Sequence, residues 1–148
     1  MKKVVLAILV LVVSSSLVLT SCKKEKAADP APTPAAATPV FSATVNGTGE
    51  SWSTYYYQLV SGGTYINAFT GAQQKMQLVV GNAQVAGTYT IGGLIGANYW
   101  DASNTMHAAT SGTITISSIG SSKISGTYSF NASSTTVTSG VFTDIPLQ

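Results

Sequence analysis

The clearest pattern in the chain is the alternation of apolar and polar residues between positions 123 and 131. Ile124, Gly126, Tyr128 and Phe130 occupy every second position, and the residues between them are Ser125, Thr127, Ser129 and Asn131. Because successive side chains of a strand point to opposite faces of its sheet, this pattern predicts a strand with one buried and one solvated face. A solvated face is typical of an antiparallel sheet.

Similar short segments recur through residues 40–148, separated by Gly, Asn and Ser clusters. These segments are rich in Val, Ile, Thr and aromatic residues, which favour strands. Asn46-Gly47 is a strong hairpin signal. After residue 39 no long apolar period of 3.6 residues is found, so crossover helices and a parallel sheet are not expected. The predicted strands are residues 41–45, 52–60, 64–70, 75–80, 87–91, 111–119, 123–131 and 136–145.

The short connections between these segments favour a meander of neighbouring hairpins. A stretch of roughly a hundred residues is enough for one hydrophobic core. We therefore predict that residues 40–148 form one all-β domain, a single antiparallel meander that closes into a β-sandwich or a barrel-like body. The sequence leaves these two forms open.

The N-terminus has the three regions of an export signal. Lys2 and Lys3 are followed by an apolar run over residues 4–19, and small residues precede Cys22. As a helix, this run would reach about 24 Å, which is short of a hydrocarbon core of roughly 30 Å. We therefore predict a signal peptide over residues 1–21 rather than a membrane span.

The tetrad Leu19-Thr20-Ser21-Cys22 resembles a bacterial lipobox. The resemblance implies cleavage before Cys22 and a diacylglycerol thioether on its thiol. Cys22 is the single cysteine of the chain, so a disulfide framework is excluded. Each buried methylene adds about 0.8 kcal/mol, so several acyl chains would hold the protein stably. We expect a lipid-anchored protein of the cell envelope, at the outer membrane, with its periplasmic or surface side left open.

Residues 22–39 form the predicted tether. Lys23-Lys24-Glu25-Lys26 is followed by Ala, Thr and Pro, with prolines at 30, 32, 34 and 39. Prolines remove backbone donors and favour extended conformations. At about 3.1 Å per residue, residues 23–39 could separate the domain from the bilayer by up to roughly 50 Å.

Several strand motifs carry a resemblance to a known family. They are residues 41–47 followed by Trp52, Gly87-Thr88-Tyr89, residues 124–130 and the closing residues 139–145. In these motifs the chain resembles small Bacteroidota lipoproteins that carry a β-rich domain of unknown function. The resemblance implies an outer-membrane-type anchor and a β domain, and it implies no activity and no site residue.

Charged and titratable groups are scarce in the predicted domain. His107 and Asp101 are not accompanied by a Gly-x-Ser-x-Gly nucleophile elbow, and a zinc site would need three or four ligands. The net charge of +2 comes mostly from the signal and residues 23–26, which leaves no basic face for nucleic acid. We expect no cofactor, no metal and no nucleic-acid partner. The groups are Glu50, Lys75, Asp101, His107, Lys123 and Asp144.

Aromatic residues are the remaining candidates for a binding site. The three tyrosines at 55–57 cannot all point inward, and we predict Tyr56 with Trp52 on one face of the strand and the other two on the opposite face. Tyr99-Trp100-Asp101 places a carboxylate beside two rings in a turn-like stretch. Exposed rings can stack on sugars or contact a protein, although rings also dominate ordinary cores. The candidate ligand-binding residues are Trp52, Tyr55, Tyr57, Tyr99, Trp100 and Asp101.

These observations favour a binding or interaction module, held on a tether at the membrane, for a glycan or an envelope protein. A hydrolase that uses Asp101 or Glu50 is the first alternative, and a purely structural spacer is the second. Perturbed acid and base pairs mark most catalytic clefts, and their shortage here argues against an enzyme.

The Cys22→Ser substitution should abolish lipid attachment, because it removes the thiol that carries the thioether. Cells expressing the variant should show no incorporation of labelled palmitate and should lose the protein from the membrane fraction. The control is Ser16→Ala, which leaves the tetrad intact. Unchanged labelling and fractionation of Cys22→Ser would contradict the lipobox.

Overall fold

The computed structural model describes residue 38 and residues 40–61, 63–81 and 85–148, all within the second of the chain's two units, Ala35–Gln148. The predicted signal peptide, Cys22 and all of the tether except Thr38 lie outside the described residues. In this part of the chain, no helix has the length and hydropathy of a membrane span.

The described residues form ten strands and no helix, which confirms the all-β prediction. The strands are β1 (Val40–Val45), β2 (Thr48–Ser51), β3 (Thr54–Val60), β4 (Gly63–Thr70), β5 (Gln73–Gly81), β6 (Gly87–Thr90), β7 (Ile95–Trp100), β8 (Met106–Ile119), β9 (Lys123–Ala132) and β10 (Thr135–Pro146).

Two strands, β2 and β7, were not predicted from the sequence, because the first contains Gly and Glu and the second contains Gly96 and Asn98, which are uncommon in strands. The strand β8 also begins earlier than predicted, at Met106. The turn-like assignment of residues 99–101 was wrong at Tyr99 and Trp100, which end β7. The Gly, Glu and Asn residues of β2 and β7 have low strand propensities, and hydrogen bonds to neighbouring strands hold them in the sheet.

The strands make one antiparallel sheet in the order β2-β1-β10-β9-β8-β7-β5-β4-β3. The strand β6 pairs with the second part of β8, whereas β7 pairs with its first part. Apart from the closing pair of β1 with β10, neighbours in the sheet follow each other closely in sequence, as a meander requires. The sheet curls into a half-barrel, so the barrel-like form is found rather than a sandwich of two sheets.

The sequence positions of the two edge strands require this curl. The strands β2 and β3 stand at opposite ends of the order, yet only Trp52 and Ser53 separate them in the chain. The C-terminus also reaches β3, because Leu147 makes a parallel bridge to Tyr57 and the amide of Gln148 donates to the Tyr57 carbonyl at 2.9 Å. The two edges are thus held near each other without a continuous ladder between them.

β-Bulges provide the bending. Register shifts leave an extra residue in β5 at Lys75, and β8 has extra residues at Thr110 and Ser117. The strand β10 has two shifts against β9, and Ser139 and Asp144 within them have φ of 51° and 53°. Each bulge bends its strand and increases the local twist. Five bulges in one sheet therefore account for its wrapping around a core.

The core lies on the inner face of the sheet. The predicted alternation of β9 is confirmed, since residues 124, 126, 128 and 130 are all buried. The ring of Phe41 lies at the centre of an aromatic cluster, with Trp52 at 5.6 Å, Tyr128 at 5.7 Å and Phe142 at 6.2 Å between centroids. Such pairs add about 0.5–1.5 kcal/mol each beyond the burial of their area.

Three inner rings lie directly opposite glycines of a neighbouring strand. Phe142 pairs with Gly126 and Tyr128 pairs with Gly140, while Phe130 pairs with Gly112. At Gly126 an added Cβ would overlap the Phe142 ring and the Thr115 carbonyl, and at Gly140 it would lie 2.6 Å from the Tyr128 ring. The absence of a Cβ makes the space that these rings fill.

The Gly126→Ala substitution should destabilise the protein by about 1–3 kcal/mol, because overpacking forces the Phe142 ring or the backbone of β8 to move. Thermal unfolding of the full chain measures this as a fall of several degrees in Tm. The matched control is Gly96→Ala in β7, where a Cβ meets nothing within 4 Å. Equal midpoints for the two variants would show that the ring does not depend on the glycine.

Candidate functional site

A pocket of about 270 Å³ lies between β2, β7 and the adjoining ends of β4 and β5. The strands β2 and β7 are far apart in the strand order, so the curl of the sheet brings them to the same place. The pocket is lined by Glu50, Ser51, Trp52, Thr70, Lys75, Tyr99, Trp100, Asp101 and Ala102.

The structure brings four of the six predicted ligand-binding residues to this pocket. Tyr99, Trp100 and Asp101 follow one another along its wall, and Trp52 lies beside them. Tyr55 and Tyr57 are elsewhere. Tyr57 is 1% exposed and its hydroxyl donates to the Gly120 carbonyl at 3.2 Å, so its ring belongs to the core.

The predicted faces of the tyrosine strand need one correction. The strand β3 begins at Thr54, so Trp52 does not share its alternation. Trp52 lies in the connection before β3 and turns into the core, where it is 5% exposed and contacts Phe41 edge to face. Tyr55 also packs against the core, with its ring stacked 6.5 Å from Phe41. Tyr56 is thus left on the outer face without Trp52.

Glu50 and Tyr99 connect β2 with β7 inside the pocket. The Tyr99 hydroxyl donates to Glu50 Oε1 at 2.9 Å, and Tyr99 is 7% exposed. Burial raises the pKa of Tyr99 to about 12, with further contributions from its hydrogen bond to Glu50 and from the negative charges of Glu50 and Asp101. Tyr99 is therefore a neutral donor at physiological pH, and it holds the carboxylate in one orientation.

Asp101 is held by the turn that joins β7 to β8. The Thr105 amide donates to Asp101 Oδ1 at 2.9 Å, and His107 Nε2 lies 3.2 Å from Oδ2. These two bonds, the Thr105 amide first, lower the pKa of Asp101. Asp101 is therefore ionised at neutral pH, whereas the general acid of a glycosidase needs a raised pKa.

Lys75 is a pocket residue for which the sequence carried no signal. It is the extra residue of the bulge in β5, and its Nζ donates to the backbone carbonyl of Asp101 at 2.9 Å. A bulge re-aims a side chain relative to regular strand alternation. The position of Lys75 therefore follows from the register of β4 against β5, which is not readable from residue types.

His107 links the pocket wall to the turn between β9 and β10. It lies in β8, half-buried, with its ring stacked 6.2 Å from Tyr99. The Ser134 hydroxyl is 3.5 Å from His107 Nδ1, so Ser134, His107 and Asp101 form a spatial series. At 3.5 Å the Ser134 contact is longer than the 2.7–3.2 Å typical of hydrogen bonds to nitrogen donors. This series connects the turn between β9 and β10 to the turn between β7 and β8.

The described part of the chain contains no group of three or more His, Cys, Asp and Glu side chains that could hold a metal ion.

The fold defines the class of this protein as an all-β domain built from one curled antiparallel sheet. Residues 37–146 match the family described as "Domain of unknown function (DUF6252)", and the chain belongs to that family. No curated protein matches the chain, and no solved structure matches it.

The Glu50→Gln substitution should lower the pKa of Tyr99 from about 12 toward its ordinary value of 10.0, because it removes the adjacent negative charge. Titration of the full chain, followed by the ultraviolet absorbance of tyrosinate, measures the shift. Comparison with Tyr99→Phe identifies the contribution of Tyr99.

The control for this titration is Asp144→Asn, which removes a carboxylate that pairs with Lys123 instead. An unchanged Tyr99 titration in Glu50→Gln would contradict the contact. A raised pKa in the folded state means that the associated stability is complete below pH 10 and is lost between about pH 10 and 12.

Proposed function

We propose that the domain is a saccharide-binding module and that the pocket around Trp100 is its site. The supporting observation is that the partly exposed Trp100 lines the same pocket as two carboxylates and a lysine. An aromatic ring stacks on the apolar face of a sugar, while carboxylates and an ammonium group bond to its hydroxyls. Trp100 supplies the ring, and Glu50, Asp101 and Lys75 supply the polar groups.

The size and rigidity of the pocket support a small ligand rather than a protein. A stable protein interface buries about 800 Å² on each partner, whereas ligand pockets occupy about 300–1,000 Å³. The pocket, at about 270 Å³, lies just below that range, which suits a small ligand. Its carboxylates are already oriented by Tyr99 and by the Thr105 amide, so little side-chain ordering remains to oppose binding.

The contacts of the carboxylates favour binding without cleavage. A hydrolase that uses Asp101 or Glu50 would need one of them as a proton donor. The pKa of Asp101 is lowered, and Glu50 accepts a hydrogen bond from Tyr99. These contacts suit acceptors for sugar hydroxyls.

We further propose that the protein is a lipoprotein of the bacterial envelope, as in the Bacteroidota, anchored at the outer membrane through Cys22. The support is the tetrad Leu19-Thr20-Ser21-Cys22 and the Ala/Pro tether after it, both in the sequence alone. A tether would hold the pocket away from the bilayer, where envelope glycans are accessible.

The Trp100→Ala substitution should weaken saccharide binding by about tenfold or more, which corresponds to roughly 1.4 kcal/mol, while leaving Tm almost unchanged. Isothermal titration calorimetry of the full chain with disaccharides of glucose, xylose, mannose and N-acetylglucosamine measures the affinity.

The matched control is Met106→Ala, which truncates the exposed neighbour of Trp100 on β8. Equal affinities of Trp100→Ala and the wild type, or no binding of any of these disaccharides by the wild type, would overturn the proposed site.

A further inference from the structure

The outer face of the sheet carries a row of uncharged side chains across β3, β4, β5 and β7. Tyr56 lies opposite Asn67, Asn67 opposite Gln77, and Gln77 opposite Asn98. Their sequence neighbours Tyr57, Ile66 and Leu78 point into the core. The row is therefore on the solvent side, opposite the core.

Hydrogen bonds connect the amides of this row. Asn98 Nδ2 donates to Gln77 Oε1 at 3.2 Å, and Gln77 Nε2 donates to Asn67 Oδ1 at 3.2 Å. Gln74 Nε2 donates to the same Asn67 oxygen at 3.0 Å. The amides thus orient one another, and each glutamine keeps a second N–H for a ligand.

The Asn67 side chain is buried but lacks one hydrogen bond among the described residues. It is 2% exposed although it lies on the outer face, and its Nδ2 has no partner among the described residues. Gln74 and Gln77 both contact Asn67 Oδ1. If the oxygen and nitrogen of the Asn67 amide were exchanged, the oxygen rather than the nitrogen would lack a hydrogen-bond partner. Nearly all buried polar groups are hydrogen-bonded, so Asn67 Nδ2 is a donor that the described residues leave unused.

The aromatic rings of Tyr56 and Phe69 are neighbours of Asn67 on the outer face. Tyr56, the cross-strand partner of Asn67, stacks on Phe69 with centroids 5.4 Å apart and planes 21° apart. Both rings are half-buried on the outer face. Tyr56 is thus the cross-strand neighbour of Asn67, and Phe69 is its second neighbour along β4. A flat ring surface thus adjoins preoriented amide groups.

The outer face is continuous with the pocket around Trp100. Trp100 follows the inward Tyr99, so it points to the outer side of β7. Asn98 of the row is two positions before Trp100 in β7, so both side chains lie on this side of the sheet, and Trp100 also lines the pocket. From β7 to β3 the face crosses three strand spacings of about 4.8 Å, or roughly 14 Å. That span exceeds the pocket and accommodates more than one sugar ring.

We infer that this outer face binds an uncharged polysaccharide chain that runs from the Trp100 pocket across the amide row to the Tyr56–Phe69 pair. The inference rests on the proposed function and extends it to a ligand class. Amides both donate and accept, as sugar hydroxyls do, and the row carries no charge that would select an ionic ligand. A sugar hydroxyl satisfies Asn67 when the Tyr56 ring turns to stack on the sugar.

The test compares the binding of long and short saccharides by the full chain. The probes are hexasaccharides of β-1,4-linked glucose, xylose and mannose, with the corresponding disaccharides, measured by calorimetry. Tyr56→Ala and Asn98→Ala should each weaken binding of the preferred hexasaccharide by about tenfold or more and leave disaccharide binding unchanged. Asn98→Asp, which keeps the shape and loses the amide donors, provides a second measurement if an alanine variant is unstable.

The matched control is Thr88→Ala, at an exposed position of strand β6, where the Thr88 hydroxyl lies 3.0 Å from the Thr115 hydroxyl. One outcome is hexasaccharide binding that is unchanged in the face variants, which are Tyr56→Ala, Asn98→Ala and Asn98→Asp, but lost in Trp100→Ala. That result would overturn the proposed extended face and would support the pocket alone. Loss in the face variants with retention in Trp100→Ala would place binding on the face and overturn the pocket. If the wild type binds none of these saccharides, both proposals fail.

Discussion

The packing of aromatic rings against glycines on β9 and β10 is the contact on which the rest of the domain depends. Phe142 and Tyr128 fill the space that Gly126 and Gly140 leave open, and Phe41 of β1 lies against both rings. This contact holds β1 in place. Residues 42–45 of β1 in turn pair with all four residues of β2. Glu50 of β2 reaches Tyr99 because that series of contacts places it there.

The distribution of charge is uneven for a chain in which 8% of residues are charged. Glu50, Lys75, Asp101 and His107 gather in or beside one pocket, whereas Lys123 and Asp144 pair with each other at 3.3 Å elsewhere. In the pocket the carboxylates bond to Tyr99, to a backbone amide and to His107. These bonds fix the orientation of both carboxylates in a pocket that Trp100 also lines, which is the arrangement on which the proposed saccharide binding depends.

The outer face shows that the solvated side of the sheet is also organised. An exposed antiparallel face needs only polar side chains, yet here three amides bond across strands and one of them is buried without a full set of partners. An unsatisfied buried polar group costs about 1–3 kcal/mol, which is a notable fraction of the roughly 5–15 kcal/mol that stabilises a domain. A ligand that supplies the missing bond would recover that free energy.

The sequence by itself determined the strand class and the antiparallel arrangement, because apolar alternation with a period of two is a local property. Residues 123–131 showed it most clearly, and their inward positions are those observed. The sequence also identified Tyr99, Trp100 and Asp101 as candidate ligand-binding residues, since they are adjacent in the chain. It did not identify β2, β7 or the bulge at Lys75, where hydrogen bonds from neighbouring strands outweigh residue preference.

Only the tertiary structure decided how the sheet closes and which aromatic rings stay near solvent. Trp52 and Tyr57 were candidates for a binding surface, and both are in the core because the curl covers them. Glu50 and Tyr99 are 49 residues apart in sequence, and Asn67 meets Gln77 across a hairpin. These contacts depend on register and bulges summed over many strands, and no local sequence pattern contains that information.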